Sequence, residues 1–184
     1  MKQLVLYFIV SFVLISCVRK ENWNQYLGPE RDAMLQNAKI ADSWPEEGPE
    51  KLWSFPLGKG YGGASVYDDE VFILDRIPGE KDILRCLDIQ TGKEKWNYSY
   101  EAKGELPFPG SRAVPTVDEQ YIWMVGPHGH MHCISKETHK PVWSHNINEE
   151  FGVEPPHWGV AQSPLIYKNL VITAPQGKKA GVVA

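Results

Sequence analysis

The sequence has few cysteines and no excess of positive charge. Its 184 residues include three cysteines, and 19 Lys and Arg residues stand against 23 Asp and Glu residues, for a formal net charge of −4. The positive residues form no stripe along the chain. Nucleic acid is therefore not expected as a partner.

Uninterrupted stretches that could form long helices are also missing. The 16 glycines and 14 prolines interrupt every window before a helix could complete three turns. This spacing excludes a helix bundle, and it excludes a helical solenoid even where the sequence repeats.

The common short catalytic motifs are absent as well. The sequence contains no serine nucleophile elbow, no phosphate-binding P-loop and no dinucleotide-binding glycine fingerprint. No pair of acidic residues stands out by its spacing as an acid and base. The sequence therefore predicts no catalytic residue.

The one long apolar run lies at the start of the chain, at residues 4–15, after the positively charged Lys2. It is shorter than the roughly 20 residues of a membrane-spanning helix, as is typical of a signal peptide. The run ends in LISC at residues 14–17, which resembles the lipobox of bacterial lipoproteins. An ordinary secretory signal, or a core strand with an incidental cysteine, is the competing interpretation.

The lipobox resemblance implies cleavage before Cys17 and attachment of lipid to its thiol. Residues 1–16 are then a signal peptide, and residues 17–49 are a lipidated tether and lead-in. Removing residues 1–16 leaves 168 residues, and the loss of Lys2 changes the net charge from −4 to −5. The protein is expected in the bacterial cell envelope, at a membrane surface on the periplasmic or outer-membrane side, without spanning the membrane.

A block of residues occurs twice at a fixed spacing. LRCLDIQTGKEKW at residues 84–96 returns as MHCISKETHKPVW at residues 131–143, with an offset of 47. A strand, a polar turn and a tryptophan that recur together indicate one supersecondary unit copied along the chain. Cys86 and Cys133 occupy equivalent positions, where we expect buried apolar side chains rather than a disulfide.

A second feature reports nearly the same period. Strand-like blocks align at Ser65, Pro115 and Pro164, in steps of 50 and 49, and three glycines share these steps: Gly60, Gly110 and Gly159. Four short strands in about 40–50 residues form one blade of a β-propeller. We predict an all-β fold over residues 50–184, an incomplete propeller of about three four-stranded antiparallel blades. A β-sandwich is the alternative that the recurrence disfavours.

The strands of the first full blade are predicted at residues 62–67, 71–75, 83–88 and 94–98. Five residues of the repeat are assigned structural rather than chemical roles in the turns and in the docking of blades: Trp53, Trp96, Trp143, Asp88 and Gly92. Trp53 is expected on the outer strand of a preceding blade. In the second copy Ser135 and His139 replace Asp88 and Gly92, so that turn should be weaker or differently shaped.

The pattern L-D-x-x-T-G-x-x-x-W resembles the tryptophan-docking repeat of the pyrroloquinoline-quinone-like (PQQ-like) β-propellers, and residues 23–32 resemble the lead-in of lipoproteins in that family. The family includes quinoprotein dehydrogenases, the propeller lipoprotein of the outer-membrane barrel-assembly machinery and many lipoproteins without an assigned role. The resemblance implies the fold, and function differs among its members.

Two functions are expected. The lipobox-like segment, the repeat and the lack of a catalytic constellation indicate the first, a non-catalytic binding or scaffold module, anchored by lipid, that holds a protein or carbohydrate partner in the envelope. The alternative is a fragment of a quinone-dependent alcohol or sugar dehydrogenase, which would use PQQ and calcium. Those dehydrogenases hold the quinone with an adjacent cysteine pair, and no such pair occurs here.

Binding residues are expected on the face that carries the connections between blades. These connections contain charged and aromatic residues, at Glu101, Lys103, Glu105, Arg112, Glu149, Glu150, Glu154, His157 and Trp158. His128, His130 and His132 alternate, so in a strand their side chains would share one face, and a His-x-His pair can bind zinc or copper. No further ligand is identifiable, so no metal site is predicted.

The third repeat stops at Ala184, before its Leu-Asp, Thr-Gly and Trp positions. A closed propeller needs at least four blades, so we expect the chain to be a piece of a longer one. The isolated chain should self-associate or unfold with poor cooperativity because its last blade has no neighbour. Light scattering and thermal unfolding measure this, and a sharply melting monomer would contradict the expectation.

Overall fold

The structure is a computed structural model that describes residues 22–36 and 40–184. The predicted signal peptide at residues 1–16 and the predicted lipidation site at Cys17 lie outside the described residues. Among the residues that are described, no helix is both long enough and apolar enough to cross a membrane.

The described chain is almost entirely β-structure, with ten strands and one helical turn and a half. In order they are β1 Ser65–Tyr67, β2 Glu70–Ile77, β3 Lys81–Asp88, β4 Glu94–Glu101, β5 Thr116–Val117, β6 Tyr121–Val125, β7 His130–Ser135, β8 Pro141–Asn146, α1 Ile147–Phe151, β9 Leu165–Tyr167 and β10 Leu170–Ile172. Strands β1 to β4 form one antiparallel sheet in chain order, β5 to β8 form a second, and β9 pairs with β10.

Burial along each strand follows its place in the sheet. The middle strands β2 and β3 are buried over most of their length, since both faces of a sheet are covered there. The outermost strand β4 alternates instead, with Trp96, Tyr98 and Tyr100 half-buried and the residues between them, Asn97 and Ser99, exposed. This is the period of two that a half-buried strand requires.

The sheets follow one another around a common axis, with their innermost strands side by side. The Ser65 hydroxyl of β1 donates to the Pro115 carbonyl oxygen just before β5, and the Thr116 hydroxyl of β5 donates to the Pro164 carbonyl oxygen at 2.7 Å. The same contact thus joins each inner strand to the next. The fold is an incomplete β-propeller of two full blades and the inner half of a third, which confirms the predicted fold class.

The hydrophobic core lies between blades rather than inside one of them. Phe72 and Leu84 of the first blade pack against Ile122, Met124 and Ile134 of the second, all fully buried. Burying one such side chain stabilises the fold by about 1.5–3 kcal/mol. A second, smaller cluster lies between the second blade and the third pair of strands.

The two copies of the turn between the third and fourth strands have the same backbone shape. Gly92 donates its backbone N–H to Asp88 at 2.8 Å, and His139 donates to Ser135 at 2.9 Å, both with a positive φ, of 67° and 57°. Of the two expected differences, a weaker turn or a different shape, the shape does not change, because His139 adopts the left-handed conformation that Gly92 adopts. The side-chain bonding is weaker: the Asp88 carboxylate accepts three hydrogen bonds and the Ser135 hydroxyl accepts one.

The outer strand expected around Trp53 stays a prediction. No strand is assigned at residues 51–64, because the described chain supplies no partner strand beside Trp53. The Trp53 indole N–H donates instead to the Ile89 carbonyl oxygen at 2.8 Å, and the ring lies against Gly92. Trp96 stacks on His139 at 4.3 Å between ring centroids. The docking role of these tryptophans remains a prediction.

The lead-in crosses the inner strands of both full blades. The Asn22 side chain accepts a hydrogen bond from the Asp68 backbone N–H at 2.7 Å, and the Trp23 carbonyl oxygen accepts one from Val66 at 2.8 Å. The Asn24 backbone and side chain then form two hydrogen bonds with Val117 of β5, at 2.8 and 2.9 Å. This short segment therefore ties the two blades together.

The contact between Trp53 and Gly92 can be tested with a matched pair of substitutions. Gly92 and Gly79 both have positive φ, but an added Cβ meets the Trp53 ring at 2.5 Å at Gly92 and nothing within 4 Å at Gly79. Gly79→Ala should lower the free energy of unfolding by about 1–2 kcal/mol through backbone strain alone. Gly92→Ala should lower it by a further 1–3 kcal/mol or so because the ring is displaced. Equal losses in denaturant titrations would show that the contact adds nothing.

Candidate functional site

The two ends of the blades differ in their connections. At one end, which we call the turn face, tight hairpins meet: Ile89 donates its backbone N–H to Asp69 at 3.0 Å, and Lys136 donates to Gln120 at 2.9 Å. The other end, the loop face, carries residues 58–64, 78–80, 102–115, 126–129 and 147–164. The connection between β2 and β3 is short, because the ladder between these strands extends to Ile77 and Lys81.

Three exposed aromatic side chains surround an arginine on the loop face. Tyr61, Phe108 and Trp158 are 58%, 47% and 55% exposed, and together with Arg112 they line a shallow pocket of about 220 Å³. The rings of Phe108 and Trp158 are 4.8 Å apart between centroids. The Arg112 guanidinium lies 5.2 Å from the centre of the Tyr61 ring. We call these four residues the aromatic–arginine cluster.

Backbone contacts hold the cluster in place. Arg112 donates to the carbonyl oxygens of Gly110 and Phe108, at 2.7 and 2.5 Å, so its side chain is fixed against its own loop. Tyr61 donates its backbone N–H to the Ser111 carbonyl oxygen at 2.7 Å. This bond joins the segment that precedes β1 to the connection between β4 and β5. The rings are therefore presented to solvent by an ordered scaffold.

Sequence reasoning placed Arg112 and Trp158 on this face but missed Tyr61 and Phe108. The sequence did contain a signal for them. The three glycines that align between repeats, Gly60, Gly110 and Gly159, each have an aromatic residue within two positions: Tyr61, Phe108 and Trp158. Only glycine fits at position 110, because an added Cβ would meet the Lys59 carbonyl oxygen at 2.0 Å. The repeat thus brings the aromatic residues to one place.

The three histidines do not form a chelating group. Strand β7 begins at His130, so His128 lies in the preceding turn, where its Nε2 atom is 2.9 Å from the Arg76 guanidinium. His130 packs 5.3 Å from the Tyr100 ring, and His132 lies between Tyr98 and Tyr100. Within the described ranges, no group of three or more His, Cys, Asp or Glu side chains could hold a metal ion.

Burial governs the protonation of these histidines. Burial lowers the pKa of His132 to about 4, with a smaller contribution from His130. Burial also lowers the pKa values of His128 and His130, and the nearby Arg76 charge lowers that of His128 further. All three imidazoles are therefore neutral at neutral pH.

A buried ion pair lies beneath the histidines. Arg76 and Asp82 are 2% and 1% exposed and face each other across β2 and β3, with 2.5 Å between Nη1 and Oδ1. Arg76 also donates to the carbonyl oxygens of Ala102 and Gly104, at 2.8 and 2.9 Å. Tyr100 donates to Asp82 at 2.9 Å, and burial followed by the Asp82 charge raises the pKa of Tyr100 well above its usual value. The pair is thus hydrogen-bonded on all sides, as a buried charge pair requires.

The remaining loop-face charges are solvent-exposed. Lys103 lies 3.5 Å from Glu101, and both side chains are exposed, so their pairing adds little stability. A cleft of about 390 Å³ opens beside them and is lined on its far side by His130, Asn148 and Glu149. The other predicted loop charges are on the surface: Glu105, Glu150 and Glu154.

The described residues do not fit the quinone site that the family resemblance implies. Cys86 and Cys133 are free and buried, one in each full blade. Burial raises the pKa values of their thiols to about 12 and 11. They are core side chains, as predicted, and they form no adjacent pair on which a quinone could stack.

No protein-family model matches the sequence, and no curated protein matches it. Among solved structures, the chain is similar to BamB from Moraxella catarrhalis, with a TM-score of 0.48 and 19% identity over 66% of this chain and 32% of that one. It is also similar to a europium-containing methanol dehydrogenase, with a TM-score of 0.47 and 17% identity over 71% of this chain and 22% of that one.

A third similar structure is the quinohemoprotein alcohol dehydrogenase from Comamonas testosteroni, with a TM-score of 0.45 and 15% identity over 63% of this chain and 17% of that one. The chain thus spans about a third or less of the length of the solved structures it resembles.

Because His132 is buried, we expect the protein to lose stability in mild acid. Because the folded state holds His132 neutral, its contribution is complete above the ordinary pKa of 6.5 and is lost as the pH falls toward about 4. The expected loss is at most about 3 kcal/mol for this residue. The titratable groups that face it are Tyr98, Tyr100 and His130.

His132→Phe should flatten the pH dependence of the free energy of unfolding between pH 7 and 4, because it keeps a ring and removes the titrating group. Substitution of the exposed His157 by Phe is the matched control and should leave the wild-type pH dependence. If the free energy of unfolding of His132→Phe fell between pH 7 and 4 as steeply as that of the wild type, groups other than His132 would cause the loss of stability.

Proposed function

We propose that the protein is a lipid-anchored β-propeller of the bacterial cell envelope that binds a protein partner on its loop face and performs no catalysis itself. The aromatic–arginine cluster carries the proposal. Tyr, Trp and Arg are the residues that most often dominate the energy of protein interfaces. Here the Tyr61 and Trp158 rings are exposed beside the half-buried Arg112, on loops that a rigid scaffold holds.

The chemistry of the cluster suits a protein surface. Its rings offer large apolar area with few rotatable bonds, and Arg112 supplies donors at their edge. A carbohydrate is the other ligand class that such rings accommodate by stacking, and it is the alternative outcome of the experiment below.

Membrane attachment is proposed at Cys17, from the lipobox-like residues 14–17. A mass increase that depends on Cys17 in the membrane-extracted protein, lost in Cys17→Ser, would support this part separately. The quinoprotein alternative finds no support among the described residues, whose two cysteines are core side chains.

The binding proposal can be tested by site-specific photocrosslinking in cells. A benzophenone amino acid in place of Tyr61 should give a discrete protein adduct, and the same amino acid at the exposed Gln90 on the turn face should give none. Trp158→Ala should remove most of the adduct, and with the identified partner it should raise Kd at least about tenfold. The melting temperature should not change, since Trp158 is 55% exposed.

Adducts that form equally at Tyr61 and Gln90, or that survive Trp158→Ala, would contradict the proposal. Retention of the protein in gels that contain envelope polysaccharide, lost with Trp158→Ala, would identify a carbohydrate ligand instead. Reduction of a dye with an alcohol or sugar after addition of PQQ and calcium would favour the dehydrogenase.

A further inference from the structure

The chain enters the propeller at the turn face. The Asn22 side chain is bound to the Asp68 backbone, in the hairpin between β1 and β2. Asn24 is bound to Val117, the last residue of β5 before the next hairpin. The first described residues are therefore attached at the turn-face ends of the two inner strands, and not at the loop face.

Only a short stretch separates this attachment from Cys17. Five residue steps lead from Cys17 to Asn22, and a fully extended chain covers at most about 3.6 Å per residue, so the two are no more than about 18 Å apart. The eight-residue strand β2 spans about 26 Å between the faces. The tether is thus shorter than the blade is tall.

We infer that the membrane lies against the turn face and that the loop face points away from it. The inference rests on the proposed attachment at Cys17 and deepens the proposed function. A lipid at Cys17 holds Asn22 close to the surface, and a tether of this length does not let the propeller turn over.

The charges on the turn face indicate that the tether, rather than adsorption, sets the orientation. Its exposed charged residues are of both signs, at Asp68, Asp69, Glu119, Glu137, Lys93, Lys140 and Lys168. Anionic lipids attract clusters of cations, and this surface has no excess of them. Lengthening the tether should therefore allow the propeller to reorient on the membrane.

The orientation also restricts the partner. The aromatic–arginine cluster lies on the far side of the blades from the hairpin that holds Asn22. It is therefore accessible to a soluble protein or to a domain that projects from a membrane, and it is out of reach of lipid in the same leaflet.

Energy transfer on vesicles tests the orientation without depending on lipidation in cells. The chain from Cys17 onward is coupled through that thiol to a maleimide lipid, while Cys86 and Cys133 stay unreactive because they are buried. A donor dye is placed at Glu119 on the turn face or at Glu105 on the loop face, and the acceptor is a headgroup-labelled lipid. The distance to the surface should be about 20 Å shorter for the dye at Glu119.

Two variants with matched controls examine the cause. A flexible 20-residue Gly/Ser insertion after Lys20 should remove most of the difference between the two distances, whereas the same insertion after the exposed Glu50, beyond the attached segment, should leave it. The double substitution of Asn22 and Asn24 by Ala should reduce the difference between the distances measured at Glu119 and Glu105. Gln25→Ala, whose side chain bonds only within the lead-in, should not.

Equal distances at the two positions, or a shorter one at Glu105, would overturn the inference. If the insertion after Lys20 had no effect on the distances, the short tether would not be the cause of the orientation. Since the coupling is chemical, the vesicle result stands even if Cys17 carries no lipid in cells. That failure would instead appear as a missing mass shift and would count against the proposed anchoring alone.

Discussion

The packing of neighbouring blades against each other is the constraint on which the rest of the structure depends. Each sheet has apolar side chains on its faces, and no single blade can bury them. Phe72 and Leu84 are fully buried only because Ile122 and Met124 of the next blade cover them. The hydroxyl contacts between inner strands and the lead-in across both blades hold these surfaces together. The positions of all the loops follow from this packing.

The same packing separates a repeated side of the molecule from a variable one. The turn at residues 88–92 and its copy at residues 135–139 have the same backbone shape, so the turn face is determined by the repeat. The connections on the loop face differ in length and sequence, and the aromatic–arginine cluster is assembled there. Binding residues usually lie on variable loops that a constant scaffold holds in place. The lead-in attaches to the constant side, which leaves the variable side open to a partner.

Much of the fold could be predicted because its signals are local and recur. Cys86 and Cys133 share one offset with the tryptophans, and the ladder irregularity that follows each cysteine recurs at the same offset. The site was less predictable. Tyr61, Phe108 and Trp158 lie in three separate connections, and their contact depends on the angle between blades. The alternating histidines indicated a shared face correctly only for the two that lie in β7, because the strand begins at His130.

The sequence by itself determined the blade, its period, the polar turn and the burial of the cysteines, since periodic burial and turn chemistry act over a few residues. Only the tertiary structure decided which charges are buried. Asp75 and Arg76 are adjacent in a strand and must point to opposite faces, yet both are buried because neighbouring elements cover both faces. It also decided that His132 stays neutral between two tyrosines, and that the lead-in joins two blades. These outcomes depend on residues far apart in the chain, whose proximity no local pattern records.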